Sequence, residues 1–215
     1  MEQYRKLSIP QSVDEACDPH RMALLVYDMQ VGVVDQLGPD GATIVERVRS
    51  VIAAARSGGY RVLYCRHMFL PLELSGVTAL RTAMTWQHTD KVSELAPFLL
   101  RGSPGFELVD DLQPNDDELV FDKVTFSAFE GTPLNVILRD CHIDTVAIVG
   151  IATEIGIEPT ARHALDLGYL PILITDACGH GDAEAAKRSL ATLEFAGGTM
   201  FSSVEQVCSL MAADD

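Results

Sequence analysis

Basic residues are scarce in this chain: 16 Lys and Arg stand against 31 Asp and Glu among 215 residues, a formal net charge of −15 at pH 7. That shortage excludes nucleic acid and anionic membrane surfaces as partners, because each requires a basic patch to offset phosphate charge. Long hydrophobic runs are missing as well, with no stretch near the roughly 18 consecutive apolar residues of a membrane span. Cysteine is present but sparse and scattered, at Cys17, Cys65, Cys141, Cys178 and Cys208. An odd, widely spaced set is neither a disulfide framework nor a CxxC zinc pattern. No GxGxxG and no GxxxxGK[ST] occurs, so no nucleotide cofactor is expected, and no cofactor is assigned. Residues 1–6 are polar and lead into no signal-type apolar core, which points to a reduced, cytoplasmic globular protein. No repeat, low-complexity tract or linker interrupts the chain, so one domain over residues 1–215 is expected.

What is present is alternation. Residues 23–27 form a near-continuous apolar run ending at Asp28, as in a strand buried on both faces. Between 42 and 56, Ile44, Val45, Val48, Val51, Ile52 and Ala55 repeat at three and four, which is helical spacing. Ser57, Gly58 and Gly59 stop that helix, and a second strand starts at 61. Strands follow at 118–121, 145–150, 170–175 and 199–202, with helices at 133–140, 155–167, 182–195 and the C-terminal end. Six alternations imply parallel strands with right-handed crossovers, hence an α/β fold, a three-layer α/β/α sandwich around a six-stranded parallel Rossmann-like sheet. Residues 68–117 break the rhythm with Pro71, Pro97, Pro104, Pro114 and the only tryptophan, Trp86. An irregular excursion of about 50 residues tends to be functional.

In an open parallel sheet, ligands bind beyond the carboxyl ends of the strands, where strand order reverses. The residues following each strand are therefore the candidates. Asp28 and Lys123 form the leading pair, since a carboxylate beside an ammonium, partly buried, can carry a proton at working pH. Taken singly, Asp28 is equally a turn-capping carboxylate and Lys123 an ordinary surface lysine. The segment after the fourth strand runs through Gly150 into a helix opening near Glu154 or Ile155. Such a turn aims backbone N–H groups at a positively polarised helix end, fit to hold an oxyanion or carboxylate.

Three ordered motifs carry a resemblance. Asp28 in Leu24-Leu25-Val26-Tyr27-Asp28-Met29-Gln30 is similar to the first signature of the isochorismatase-like hydrolases, the cysteine hydrolase superfamily. Lys123-Val124-Thr125-Phe126-Ser127-Ala128-Phe129, with Gly131, Thr132 and Leu134, resembles the second. Gly150 to Glu158, with Thr160, Ala161 and Arg162, resembles the third. The resemblance implies Asp28 as general acid/base, Lys123 as its electrostatic partner, and a cis peptide at Ile151–Ala152. It further implies an oxyanion hole from the N–H groups of Ala152 and Gly156, and a homo-dimer or homo-tetramer.

The chain departs from the family at Gly156, where amidase-type members carry a cysteine nucleophile. A glycine cannot attack a carbonyl, which closes the thioester route at this position. Isochorismatases tolerate glycine there and cleave a vinyl ether by protonation and water addition. That chemistry implies a raised pKa at Asp28. The expected activity is therefore hydrolysis of a vinyl ether or related small carboxylate by Asp28 without a cysteine nucleophile. The alternatives are a non-catalytic ligand-binding homologue, or a cysteine-dependent amidase whose nucleophile has been replaced at Gly156. Cys65 ends the second strand and Cys178 follows the fifth, and both read either as thiols within reach of the site or as small buried hydrophobes. Gln30, Trp86, Phe129 and Glu154 are the candidate substrate contacts, with Phe69 and Phe126 as further possible walls. His67, His88 and Asp90 are the only cluster that could hold a metal. They lack the Asp-x-His spacing of nicotinamidase relatives, so no metal is assigned.

Overall fold

A computed structural model describes residues 1–96 and 98–212; Pro97 of the excursion and the last three residues lie outside the described residues. The chain opens with a hairpin, β1 (Glu2–Tyr4) and β2 (Leu7–Ile9), and one helical turn, α1 (Val13–Ala16). Its first apolar run is β3 (Met22–Tyr27), six residues without a charged side chain and all buried. A short turn, α2 (Val31–Val34), leads to α3 (Asp40–Ser57), whose Ile44, Val48, Val51, Ile52 and Ala55 form the buried stripe its spacing requires.

Strand and helix then alternate. β4 (Arg61–His67) and β5 (Leu119–Lys123) flank the excursion, which contains a ten-residue helix, α4 (Val77–Trp86). That helix was not expected from the sequence. It buries only Ala83, so it never needed the apolar stripe by which a helix announces itself. After it come α5 (Leu134–Asp140), β6 (Thr145–Gly150) and a wide π-type turn at Thr153–Ile157 that feeds α6 (Glu158–Asp166). The chain ends with β7 (Leu170–Cys178), α7 (Ala183–Ala196), β8 (Met200–Ser202) and α8 (Val204–Met211).

Six strands join in the order β5-β4-β3-β6-β7-β8, every neighbouring pair parallel. Because side chains alternate along a strand, each strand feeds two cores. Met22, Leu24 and Val26 of β3 pack with Val48, Val51 and Ile52 of α3 and Val207 of α8. Ala23, Leu25 and Tyr27 pack with Leu134 and Leu138 of α5, Ala161 of α6 and Leu193 of α7. Burying each Leu, Ile or Val stabilises the fold by roughly 1.5–3 kcal/mol. The expected three-layer sandwich is therefore the observed one. Strand order reverses between β3 and β6, so the crevice for a ligand opens beyond Tyr27 and Gly150.

Candidate active site

Asp28 leaves β3 with φ +50°, the left-handed region that aspartate and asparagine enter more readily than other side-chain-bearing residues. Its N–H donates to the Cys65 carbonyl at 3.0 Å, fixing the turn to the end of β4. The carboxylate is buried, and Oδ2 accepts from Lys123 Nζ at 2.8 Å. Lys123 ends β5, two strands away, and its 2% exposure makes it anything but an ordinary surface lysine. Its ammonium also donates to the Thr125 carbonyl at 3.3 Å, faces His67 Nδ1 at 3.5 Å and lies 4.3 Å from the centre of the Tyr27 ring. Removal from water raises the Asp28 pKa, and Lys123 offsets part of that rise. Burial and the same ammonium push the His67 imidazole down to about 3, so it stays neutral.

The third motif supplies the opposite wall. Gly150 has φ +126°, and a β-carbon there would collide with the Tyr27 backbone, so glycine is required for β6 to turn away from β3. The Ile151–Ala152 peptide is cis. Of the two expected oxyanion donors, the Gly156 N–H donates to the Ala152 carbonyl at 3.0 Å, and the Ile157 N–H closes the π-type turn on the same carbonyl at 3.1 Å. Gly156 itself abuts Tyr27. A β-carbon at 156 would overlap the phenol hydroxyl and lie 2.5 Å from ring atoms Cε1 and Cζ. The Tyr27 hydroxyl donates to the Phe126 carbonyl, and burial raises its pKa well above the ordinary value. The sequence does not single out Tyr27, which reads as the last apolar residue of a strand. Its one signal is a polar-tipped ring immediately before the catalytic candidate.

Above this floor opens a cavity of about 720 Å³. Asp28, Lys123, Gly156, Ile151 and Ala152 of the motifs and Trp86 of the excursion all line it. Trp86 joins Phe69 at 6.1 Å edge-to-face and Phe126 at 6.1 Å between ring centroids, and Phe98 meets Phe69 at 5.8 Å. The excursion thus contributes an aromatic wall. Among the described lining residues the only formal charges are Asp28, Lys123 and Asp182, and none is a cysteine or serine.

Three expected substrate contacts lie elsewhere. Gln30 is fully buried, its amide donating to the carbonyls of His67 at 3.0 Å and Phe106 at 2.8 Å while its oxygen accepts from the His67 N–H at 2.7 Å. With both ends of the amide so used, it is a structural tie. Phe129 turns into the core and stacks on Tyr169 at 5.5 Å, so the motif leaves the cavity after Phe126 and enters the layer that holds α5 and α6. Glu154 caps the approach to α7, Oε1 accepting from the N–H groups of Gly181 at 2.7 Å and Asp182 at 2.9 Å. It borders a neighbouring cleft that shares Trp86 and Phe126 with the cavity. Of the thiols, Cys65 donates to Asp28 Oδ1 at 3.6 Å and is fully buried, its pKa driven well up by loss of solvent. Cys178 donates to the Ile148 carbonyl at 3.7 Å and is pushed up to about 12. Neither lines the cavity, and both behave as small hydrophobes.

His67 and His88 both reach the cavity. The metal that some relatives carry does not suit them. His67 Nδ1 faces an ammonium at 3.5 Å, a poor setting for a further cation, and among the described residues no three His, Cys, Asp or Glu side chains converge.

Comparison with known proteins identifies the family. The family model described as Isochorismatase domain matches residues 22–206. The chain is 31% identical over 174 residues to ureidoacrylate amidohydrolase RutB of Acinetobacter baylyi, covering 74% of this chain and 71% of that protein. An N-carbamoylsarcosine amidase from Thermoplasma acidophilum superposes with TM-score 0.68 at 26% identity, covering 86% of this chain and 97% of that one. A cysteine hydrolase from Pseudomonas syringae pv. phaseolicola shares the fold, with TM-score 0.74 at 24% identity over 91% and 94% of the two chains.

Proposed function

This chain belongs to the isochorismatase domain family and is a hydrolase of that family, and from that premise we propose that it cleaves a small molecule by proton transfer through Asp28 without a covalent enzyme intermediate. The observation that carries the reading is the buried Asp28–Lys123 pair, 2.8 Å apart on the floor of a cavity whose described lining offers no cysteine or serine. Burial favours the protonated carboxyl, and Lys123 stabilises the carboxylate left after transfer, so the group can both give and recover a proton. For a vinyl ether, Asp28 gives its proton to the alkene carbon and water adds to the resulting oxocarbenium carbon. The hemiketal then collapses to a carbonyl and an alcohol, and the carboxylate regains its proton. The lining supports a neutral substrate in place of the small carboxylate expected from the resemblance. Lys123 is already paired, Asp182 adds negative charge, and the walls are aromatic. The homo-oligomeric, cytoplasmic enzyme implied by resemblance and composition belongs to the same reading.

Turnover across a panel of vinyl ethers, amides and esters tests it. With any substrate found, Asp28→Asn and Asp28→Ala should lose at least ~100-fold in rate, the usual contribution of a positioned acid or base. Full activity in Asp28→Ala overturns the mechanism. Saturable binding with no turnover across the whole panel identifies a ligand-binding homologue instead.

A further inference from the structure

Tyr27 and Gly156 occupy one another's space. The tyrosine is 1% exposed, held by its hydroxyl to the Phe126 carbonyl and covered by the Lys123 ammonium 4.3 Å from its ring centre. It cannot swing outward without giving up both contacts. Any side chain at 156 would begin with a β-carbon inside the phenol, with Cε1 and Cζ at 2.5 Å and the hydroxyl overlapping. Tight overlap with a rigid, buried ring is not relieved by a small shift, because core packing leaves no slack. Position 156 is also where the wide turn meets the cavity floor beside Asp28.

We propose that Tyr27 is the residue that fixes the reaction type of this site: its phenol fills the volume a nucleophilic side chain at 156 would need, so the site is confined to proton transfer. This inference rests on the reading of the site given above and deepens it. It also accounts for what Gly156 alone does not. A replaced amidase nucleophile would be restored by one substitution, whereas here two positions must change together, the ring at 27 being removed before a thiol can stand at 156.

The test compares wild type, Gly156→Cys, Tyr27→Val and the double variant Y27V/G156C, using p-nitrophenyl acetate as acyl donor. In an acylation, the thiolate at 156 forms a bond to the acetyl carbon, the bond to p-nitrophenolate breaks, and the thiol proton passes to Asp28 or water. Peptide mass mapping separates that adduct from background acetylation of the five native thiols. The double variant is expected to acetylate at position 156 at least ~10-fold faster than Gly156→Cys. A Gly156→Cys variant that folds and acetylates as fast as the double variant overturns the proposal. Because cysteine variants can fail to fold, a second measurement uses alanine, the smallest side chain. Gly156→Ala should lower the melting temperature by more than about 10 °C when Tyr27 is present and by only a few degrees in the Tyr27→Val background. Equal losses in both backgrounds, including failure to fold in both, overturn the proposal. Neither readout uses the native substrate, so failure here is distinguishable from failure of the Asp28 mechanism.

Discussion

At Asp28 and His67 one ammonium acts on two neighbours with opposite consequences. Lys123 lowers the Asp28 pKa against the larger effect of burial, while at His67 it adds to burial and drives the imidazole to about 3. The histidine therefore links stability to pH with a definite sign. Its folded pKa lies below the ordinary 6.5, so the unfolded chain binds a proton first as pH falls. The stabilising contribution is complete above pH 6.5 and drains away between 6.5 and about 3, at up to about 1.4 kcal/mol per pH unit. Urea unfolding of wild type and His67→Gln at a series of pH values reads this directly. The variant should show a flatter decline over that window, and parallel curves would mean that His67 is not held neutral. Asp28 and Lys123 were both legible in the sequence, because each stands at the carboxyl end of an apolar run, where a parallel sheet places its ligands. Tyr27 was not, since what matters there is a contact with Gly156, 129 residues further along and set by the register of β3 with β6.

Elements buried on one or both faces were easy to read, and those that wall a cavity were not. Five of the six sheet strands carry runs of Val, Ile and Leu, the short edge strand β8 (Met-Phe-Ser) being the exception, and α3 carries its 3–4 spacing, because burial demands such patterns. Helix α4 answers to a cavity and to solvent, so its ten residues carry no core stripe. The same limit explains Gln30. A polar residue after a strand end looks like a ligand contact, yet this one turns back to join three separate elements. Its amide ties the loop after β3 to both the N–H and carbonyl of His67 at the end of β4, and to the Phe106 carbonyl in the excursion. Replacing it with alanine leaves a buried N–H and two carbonyls without those partners, which should cost about 3 kcal/mol of stability. Chemical denaturation measures the loss, and hydrogen exchange should rise first in the turn around Phe106. A Gln30→Ala protein with wild-type stability would mean that these groups find other partners.

For the whole molecule, charge and cavity together decide which ligands arrive and which stay. A net charge of −15 gives the surface a field that repels anions over roughly a Debye length, and the described cavity lining offers no unpaired cation to reverse it. An anion thus meets repulsion on approach and an acidic neighbour, Asp182, on arrival. A neutral aromatic ligand meets neither and gains contact with Phe69, Trp86, Phe98 and Phe126. The chain carries its own reporter, because its single tryptophan stands in that wall, 41% exposed. Titrating benzamide and benzoate, of nearly equal shape, against the fluorescence of Trp86 separates the two effects. Benzamide should bind at least ~5-fold more tightly than benzoate at low ionic strength, with an affinity insensitive to salt. Benzoate should improve as salt screens the field, without overtaking benzamide, since Asp182 and the paired Lys123 act at short range where screening is weak. Tighter binding of benzoate that weakens with salt would place an unpaired cation in the site and return the substrate to the carboxylates.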